Sequence, residues 1–281
     1  MNLPGGNESF MRPYSRVYAT VNLDAVASNM KSMRDNLPAA TLIMGSVKAD
    51  GYGHGSVPVA KAIAPYVYGY AVATIDEGMI LRRHGIDKRI LILGVTHESR
   101  YEDLLRYDIR TAMFQYEKAK KLSDLAVKQG KKAVVHLALD TGMSRIGMKP
   151  DREHAKEAAA IAALEGIEVE GLFTHFARAD ETDKSAYEAQ YSRYKQFLGY
   201  LDELNVKIPI RHCSNSAGIV ESLESNQMDM VRAGIAIYGM YPSDEVDHES
   251  VKLTPAMEIK SCITYIKRLN LVQRSAMEVP L

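Results

Sequence analysis

Apolar runs of strand length recur along most of the chain, and segments with a helical spacing of apolar residues separate them. The eight runs cover residues 42–47, 69–74, 89–94, 110–113, 133–139, 169–175, 210–214 and 228–234. Continuous apolar strands between amphipathic helices are typical of a parallel sheet covered by helices. Eight regular repeats predict an α/β fold closed as a (β/α)8 TIM barrel, and they fit a doubly wound open sheet less well.

The letters NLDAVASNMKSMRDNL, which begin at Asn22, show the helical pattern clearly. Apolar residues recur there every three or four positions, and asparagine is a residue type that favours the N-cap. Similar helical segments are expected over 116–130 and 151–166.

The pattern changes after Tyr241. The polar stretch YPSDEVDHESVKL is linker-like, and PAMEIKSCITYIKRL then alternates apolar and polar residues as a half-buried antiparallel strand does. We predict a flexible N-terminus over 1–13, a barrel over 14–242, and a linker with an incomplete second, β-rich domain over 243–281. The strand-like letters SRVYATV near the N-terminus are expected to pair with that second domain.

The 35 basic and 35 acidic residues give a formal net charge of zero, which argues against a nucleic-acid-binding surface. The two cysteines, Cys213 and Cys262, offer no disulfide framework and favour a reducing compartment. No apolar run is long enough to span a bilayer, and the N-terminal residues lack the apolar centre of a signal peptide. We therefore expect a cytoplasmic protein with no nucleic-acid or membrane partner.

Barrel enzymes carry their chemistry on the loops that follow the strands. Reactive or polar residues at those positions in this chain are Lys48, Tyr52, Arg145, His175, Asn215, Ser216 and Arg232. Each alone has an ordinary structural explanation, such as an ion pair or a solvated anchor. Together they are expected to converge on one mouth of the barrel.

A lysine amine forms Schiff bases with carbonyl compounds, and the glycines that follow Lys48 leave room for a planar ligand. The loops after the last two strands form the usual phosphate site of this fold. Here they offer the Ser216 hydroxyl and the amides of Gly234 and Ile235. A carbonyl-seeking lysine opposite a phosphate cradle suits pyridoxal 5′-phosphate, and no metal is expected.

The segments SVKADGYGHG, LDTGMSRIG, THFARAD, NSAG and VRAGIAIYG resemble, in the same order, segments of the alanine racemase family. The resemblance covers about residues 14–269. It implies a pyridoxal-phosphate barrel that interconverts L-alanine and D-alanine, by removing and returning the Cα proton, for bacterial peptidoglycan. It also implies a homodimer, in which each active site contains residues of both subunits.

The resemblance further implies a role for each matching residue. Lys48 would bind the cofactor's aldehyde and carry the Cα proton on one face of the substrate. His175 would pack against the pyridine ring, Arg145 would bind its phenolic oxygen, and Arg232 would donate to its nitrogen. Because arginine cannot give up its proton, the ring would stay neutral and favour racemisation over transamination. The phosphate would lie against Tyr52, Ser216 and the amides of Gly234 and Ile235, and Asn215 would also bind the cofactor.

Two departures from the family pattern bear on activity. Ala138 stands where the family often has a lysine that positions the arginine matched by Arg145. The family's second base is a tyrosine in a Ser-Tyr-Gly context, and Tyr265, upstream of that position, is not assigned this role. The chain is therefore expected to bind the cofactor but to racemise weakly and to dimerise poorly.

The letters after Leu269, NLVQRSAMEVPL, do not resemble the family. A back-translation with one added base reads LEPGTAISYGGSA, which restores a Ser-Tyr-Gly segment. Synonymous codons were free to choose, so part of this fit is built in. The hypothesis from the sequence is a frameshift that ends the second domain early.

Three alternatives remain at this stage. The barrel could be a non-catalytic pyridoxal-phosphate carrier, although the second domain's first strand argues against it. It could be a serine racemase of the same family. A metal-dependent hydrolase would use His136, His175 and His212, but Arg232 stands where such barrels end their last strand with aspartate, and no His-x-His follows the first strand.

Overall fold

The eight apolar runs form eight parallel strands of a nearly closed barrel, which confirms the predicted fold. The computed structural model describes residues 16–268. The strands are β1 (Val17–Val21), β2 (Leu42–Ser46), β3 (Gly69–Val72), β4 (Arg89–Ile92), β5 (Arg110–Met113), β6 (Ala133–Ala138), β7 (Ile167–Phe173), β8 (Ile210–His212), β9 (Met230–Ala233) and β10 (Met257–Ser261). The barrel consists of β2 to β9, with the strands adjacent in chain order and β9 paired to β2.

Helices follow the barrel strands as the sequence predicts. They are α1 (Leu23–Asp35), α2 (Ser56–Ile63), α3 (Ile75–Arg83), α4 (Tyr101–Tyr107), α5 (Tyr116–Lys128), α6 (Arg152–Ala162), α7 (Ser185–Glu203) and α8 (Ser216–Val220). Asn22 caps α1 as expected, because its side-chain oxygen accepts the amides of Asp24 and Ala25. Among residues 16–268, no helix has both the length and the apolar character needed to cross a membrane.

Alternate residues of the strands divide the core into two parts. One face packs against the helices in a large cluster that includes Ile43, Tyr70 and Ile90. The neighbouring residues Met44 and Leu91 belong to a separate small cluster, as expected for side chains that fill the barrel interior. The two sides of the sheet are therefore both apolar, which explains the continuous apolar runs of the sequence.

Arg232 joins the last two strands of the barrel. Its backbone amide donates to the Ser214 carbonyl at 2.9 Å. Its guanidinium donates to the carbonyls of Thr174, His212 and Cys213 at 2.7, 3.0 and 2.9 Å. A side chain from β9 thereby holds the carboxyl ends of β7 and β8, and it bridges the gap that strand pairing leaves between β8 and β9.

A bulge interrupts the pairing of β6 with β7. Val135 pairs with Val169, but the next residue, His136, pairs with Gly171. Glu170 is the extra residue of the bulge, and bulges of this kind redirect a side chain. The bulge thereby redirects the Glu170 side chain.

The chain divides into two compact units: residues 22–256, and a smaller unit from the two chain ends. In the smaller unit, β1 pairs antiparallel with β10, from Val17 opposite Ser261 to Val21 opposite Met257. This second antiparallel sheet confirms the predicted β-rich element. Residues 243–256, assigned above to a linker, belong to the larger unit, where the Thr254 amide donates to Asn29 Oδ1 at 2.7 Å. The regions 1–13 and 269–281 lie outside the described residues.

Gly239 and Gly130 test what two left-handed glycines contribute to stability. Both have positive φ (83° and 64°), but a β-carbon at Gly239 would collide with the Thr254 carbonyl, whereas open space surrounds Gly130. We expect Gly130→Ala to lower the free energy of unfolding by about 1–2 kcal/mol, the cost of the left-handed conformation. Gly239→Ala should cost about 3 kcal/mol or more, because backbone must also move. Urea unfolding measures both, and equal losses would contradict the predicted collision.

Candidate active site

Lys48 begins a left-handed turn at the carboxyl end of β2. Ala49, Asp50, Gly51 and Tyr52 all have φ between 50° and 62°. For residues with a β-carbon this conformation costs about 1–2 kcal/mol each, so the turn needs support from its surroundings. From the sequence, the glycines were expected to leave room for a ligand, but the left-handed conformation of Ala49 to Tyr52 was not expected.

Two carboxylates provide that support. Glu77, at the start of α3, accepts the amides of Ala49 at 2.9 Å and Ala73 at 2.6 Å. Asp50 accepts the amide of Ser56, the first residue of α2, at 2.8 Å. Carboxylates that accept amides form strong hydrogen bonds. The turn that carries Lys48 is thus tied to two helices and fixed relative to the barrel mouth.

Tyr52, Ser216 and Gly234 converge beside this turn. The Gly234 amide donates to Ser216 Oγ at 2.8 Å, and a β-carbon at Gly234 would lie 3.4 Å from the Tyr52 hydroxyl and 3.6 Å from Ser216 Oγ. The two hydroxyls therefore flank a glycine whose missing side chain leaves space between them. Lys48 Nζ lies 5.7 Å from the centre of the Tyr52 ring, which connects this cradle to the lysine.

Asn215 and Ile235 lie next to the cradle, in structural positions. Asn215 is the N-cap of α8, since its Oδ1 accepts the Gly218 amide at 3.1 Å. Ile235 is the first residue of a 3-10 turn that extends to Tyr238. Its amide has no acceptor within that turn, because the first N–H groups of a helix point out of its end.

His175 stands at the centre of a group of cationic side chains. Its Nδ1 lies 3.3 Å from Arg232 NH2. Burial, together with the charges of Arg232, Arg145 and Lys48, lowers the pKa of His175 to about 3, so the imidazole is neutral. Residues on or after three other strands thus act electrostatically on the His175 ring. The predicted convergence of Lys48, Arg145, His175 and Arg232 on one mouth is consistent with this geometry.

Arg232 is buried in the barrel, with an exposed fraction of 4%. Burial lowers the pKa of Arg232 to about 10, and the group therefore remains protonated at neutral pH. An arginine has five N–H donors. The N–H donors on NH1 face His212, and those on NH2 face Thr174, His175 and Cys213. Among residues 16–268, Nε–H is the donor of Arg232 for which no partner is found.

From the sequence, His136 and His212 were candidates only for the metal ligands of a hydrolase. In the structure His136 Nδ1 lies 2.8 Å from His212 Nε2, and His136 Nε2 lies 2.9 Å from Glu170 Oε2. His212 Nδ1 lies 3.0 Å from Arg232 NH1. Within residues 16–268 no group of three His, Cys, Asp or Glu side chains is arranged to hold a metal ion. A sequence signal was present, since both histidines interrupt apolar strands.

Ala138 and Tyr265 are the two departures from the family pattern noted above. Ala138 is surrounded by apolar side chains, and Tyr265 is exposed. Ala138 is buried at the end of β6 in a small cluster with Ala112 and Phe173. Tyr265 has an exposed side chain in the smaller unit. Ala138 therefore contributes no polar group to the arrangement around Lys48.

The opposite end of the barrel has an open cavity of about 660 Å³. Its charged groups are already paired: Arg110 with Asp108 and Glu170, and Lys88 with the Val67 carbonyl. Barrel enzymes carry their chemistry at the carboxyl ends of the strands. We therefore place the candidate active site at the mouth with Lys48.

Comparison with known proteins finds relatives over the whole barrel. The family profile described as alanine racemase, N-terminal domain, matches residues 21–242. An alanine racemase of Desulforamulus reducens is 44% identical over 255 residues, which span 90% of this chain and 69% of the relative. One of Clostridium perfringens strain SM101 is 42% identical, over 90% of this chain and 66% of the relative.

Solved structures agree with this result. The alanine racemase of Clostridium difficile 630 in complex with cycloserine has a TM-score of 0.88 and 41% identity, and the match covers 92% of this chain and 71% of that one. The alanine racemase of Bacillus anthracis with bound L-Ala-P has a TM-score of 0.81 and 32% identity, over 88% and 64% of the two chains. The chain thus spans 64–71% of the length of these relatives.

The three neutral histidines of this region predict that stability depends on pH. Burial lowers the pKa of His136, His175 and His212 below the ordinary 6.5 in the folded protein. Below pH 6.5 these histidines bind protons in the unfolded chain but stay neutral in the folded chain. The free energy of unfolding therefore decreases as the pH falls below 6.5. We expect a loss of about 1.4 kcal/mol per pH unit for each histidine. Urea unfolding at pH 7 and at pH 5 measures this, and a constant or rising stability on acidification would contradict the prediction.

Proposed function

The chain belongs to the alanine racemase family, and on this premise we propose that it binds pyridoxal 5′-phosphate at Lys48 and interconverts L-alanine and D-alanine. The observation that supports this best is the convergence of Lys48, Tyr52, Ser216 and Gly234 around one small space. A lysine amine at one side and a phosphate cradle at the other match the two ends of this cofactor. The names of the relatives, one of which holds L-Ala-P, support alanine as the substrate.

The residues present fit the cofactor. At Gly234 a hydrogen atom occupies a position where a β-carbon would approach both the Tyr52 hydroxyl and Ser216 Oγ. This space can receive phosphate oxygens, with the Tyr52 and Ser216 hydroxyls and the Ile235 amide as donors. We assign Asn215 to this end of the site because it caps the short helix α8, which begins at Ser216. Tyr52, Ser216 and Ile235 would therefore bind the phosphate, and Asn215 would hold the start of α8 beside it.

At the other end of the cofactor, Arg232 would donate its Nε–H to the pyridine nitrogen. When bound, pyridoxal phosphate supplies a conjugated ring that accepts the electron pair left when a substrate loses its Cα proton. Arg232 is protonated and has only donors, so it holds the ring nitrogen in its unprotonated form. Arg232 would thereby limit the withdrawal of electrons from Cα, which favours quick return of the proton.

Lys48 and its neighbours would move and guide that proton. The Lys48 amine stands at the mouth on a turn that Glu77 and Asp50 hold in place, so Nζ can take and return a proton on one face of the substrate. His175, neutral and held by Arg232, would cover the ring, and Arg145 would bind the phenolic oxygen. The proton carrier for the other face is not assigned to Tyr265.

A test of the proposal separates cofactor binding from racemisation. The chain is incubated with pyridoxal phosphate, and borohydride reduction followed by peptide mass spectrometry should place the adduct on Lys48. A separate sample that has not been reduced, incubated with L-alanine or D-alanine in D₂O, should exchange the Cα proton, and chiral chromatography should detect the opposite enantiomer. Lys48→Ala should abolish all three signals.

Each result of this experiment has a clear meaning. An adduct at Lys48 without Cα exchange would support the non-catalytic carrier instead. Exchange and racemisation that are faster with serine than with alanine would reassign the substrate. The absence of an adduct at Lys48 would overturn the proposal as a whole.

Ser216→Ala tests the phosphate cradle separately. The substitution removes a hydroxyl donor to the phosphate and the acceptor of the Gly234 amide. A hydrogen bond to a charged group contributes about 1.5–3 kcal/mol, so the dissociation constant of pyridoxal phosphate should rise at least about tenfold. Ser99→Ala, on an exposed 3-10 turn, is the matched control and should leave the constant unchanged. Equal affinities for both variants would remove Ser216 from the site.

A further inference from the structure

We propose that Glu170 is a positioning residue for Arg232 and acts through two buried histidines whose proton positions are fixed from both ends. The effect on the cofactor rests on the proposed function. The state of the histidines does not, because it belongs to the chain without any ligand. The two parts can therefore be tested independently.

A continuous row of short contacts connects the two residues through the barrel. Arg232 NH1 lies 3.0 Å from His212 Nδ1, His212 Nε2 lies 2.8 Å from His136 Nδ1, and His136 Nε2 lies 2.9 Å from Glu170 Oε2. Both histidines have an exposed fraction of 0%. The row thus runs from the carboxyl end of the barrel towards its other end without contact with solvent at either imidazole.

The chemistry of the two end groups sets the direction of every hydrogen bond in this row. Arg232 can only donate, so His212 Nδ1 must accept and the single proton of a neutral His212 must lie on Nε2. That proton points at His136 Nδ1, which therefore accepts as well. The proton of His136 then lies on Nε2 and is donated to the carboxylate of Glu170. Each histidine is predicted to be neutral with its proton on Nε2.

The charges around the row agree with this assignment. Burial disfavours the ionised form of Glu170, but the hydrogen bond from His136 and the charge of Arg110 outweigh it and lower the pKa of Glu170 to about 2. Burial lowers the pKa of His136 and of His212, and both imidazoles are neutral. Glu170 is therefore ionised at neutral pH and acts as an acceptor.

Two backbone features place Glu170 and His136 for this contact. The bulge in β7 inserts Glu170 as an extra residue opposite the step from Val135 to His136. Gly171 then makes room for the imidazole, because a β-carbon there would lie 2.5 Å from His136 Nδ1. Arg110 Nε and Arg89 Nε hold the two Glu170 oxygens at 3.3 and 3.4 Å. The carboxylate is thus fixed by groups other than the histidine it orients.

The proton positions of the two histidines affect Arg232, because the opposite arrangement would place an N–H of His212 against the NH1 donor of Arg232. If His136 carried its proton on Nδ1, the proton of His212 would be forced onto its own Nδ1. That N–H would face the Arg232 NH1 donor at 3.0 Å, and two donors repel each other. Arg232 would then lose an acceptor inside the barrel and shift, and its Nε–H would leave the place proposed for the pyridine nitrogen.

The first test uses the unmodified chain without ligand. Histidines are labelled with nitrogen-15, and the signals of His136 and His212 are assigned by their loss in His136→Asn and His212→Asn. Both residues should show a protonated Nε2, an unprotonated Nδ1 and no charge at neutral pH. A proton on Nδ1 of either ring, or a charged ring, would overturn the proposal. This measurement needs no variant of Glu170 that folds.

The second test replaces the end of the row. Glu170→Leu removes the acceptor, whereas Glu170→Gln keeps an oxygen that His136 can donate to. In Glu170→Leu the Nε2–H of His136 loses its acceptor, and Arg232 alone still opposes the other proton arrangement. The His136 signals should therefore shift towards mixed proton positions, and the dissociation constant of pyridoxal phosphate and kcat should worsen by about 10–100-fold, as is common when a group that orients a binding residue is lost. Glu170→Gln should keep the wild-type proton positions. It should lose less cofactor affinity and less kcat than Glu170→Leu.

Glu168→Leu is the matched control, since Glu168 lies on the same strand with an exposed side chain. It should leave the histidine signals and the cofactor affinity unchanged. Wild-type signals and affinity in a folded Glu170→Leu variant would overturn the role of Glu170. If the wild-type chain does not bind pyridoxal phosphate, the proposed function fails, while the histidine signals still decide whether Glu170 fixes the row.

Discussion

The buried charge of Arg232 is the constraint on which much of the barrel depends. A guanidinium removed from water must find acceptors for its donors, and here the backbone carbonyls at the ends of β7 and β8 provide them. The same demand turns His212 into an acceptor, and it keeps His175 neutral beside a positive group. Barrel closure, the state of the histidines and the donor offered at the mouth thus follow from one buried side chain.

The strands and helices were predictable because each repeat has the same apolar pattern and the same covering helix. The positions of Lys48, Ser216 and Arg232 were predictable for a related reason: the carboxyl ends of parallel strands meet at one mouth. The direction in which Glu170 points was not predictable, since it depends on a bulge that a strand-like pattern conceals. The roles of the site residues remain predictions that depend on a cofactor.

The left-handed turn from Ala49 to Tyr52 could not be read from the sequence either, apart from its glycine. Non-glycine residues adopt this conformation only when their surroundings compensate the cost. Here the compensation comes from Glu77 and Asp50, which lie in different elements. Such contacts between distant residues are invisible to local propensity. Strain of this kind at a mouth residue is typical of sites that must hold a reactive group in one orientation.

The joint between β8 and β9 consists of one backbone bond from Arg232 to Ser214 and side-chain contacts, those of Arg232 at the carboxyl end and those of Asp229 with Arg211 at the other, whereas neighbouring strands share a ladder. A joint without a ladder separates at a lower free-energy cost than the others, so local opening of the barrel should begin there. A molecule that engages Arg232 at the mouth restrains the residue that keeps this joint closed. We therefore expect a ligand at the mouth to make opening of this joint less favourable, because both depend on Arg232.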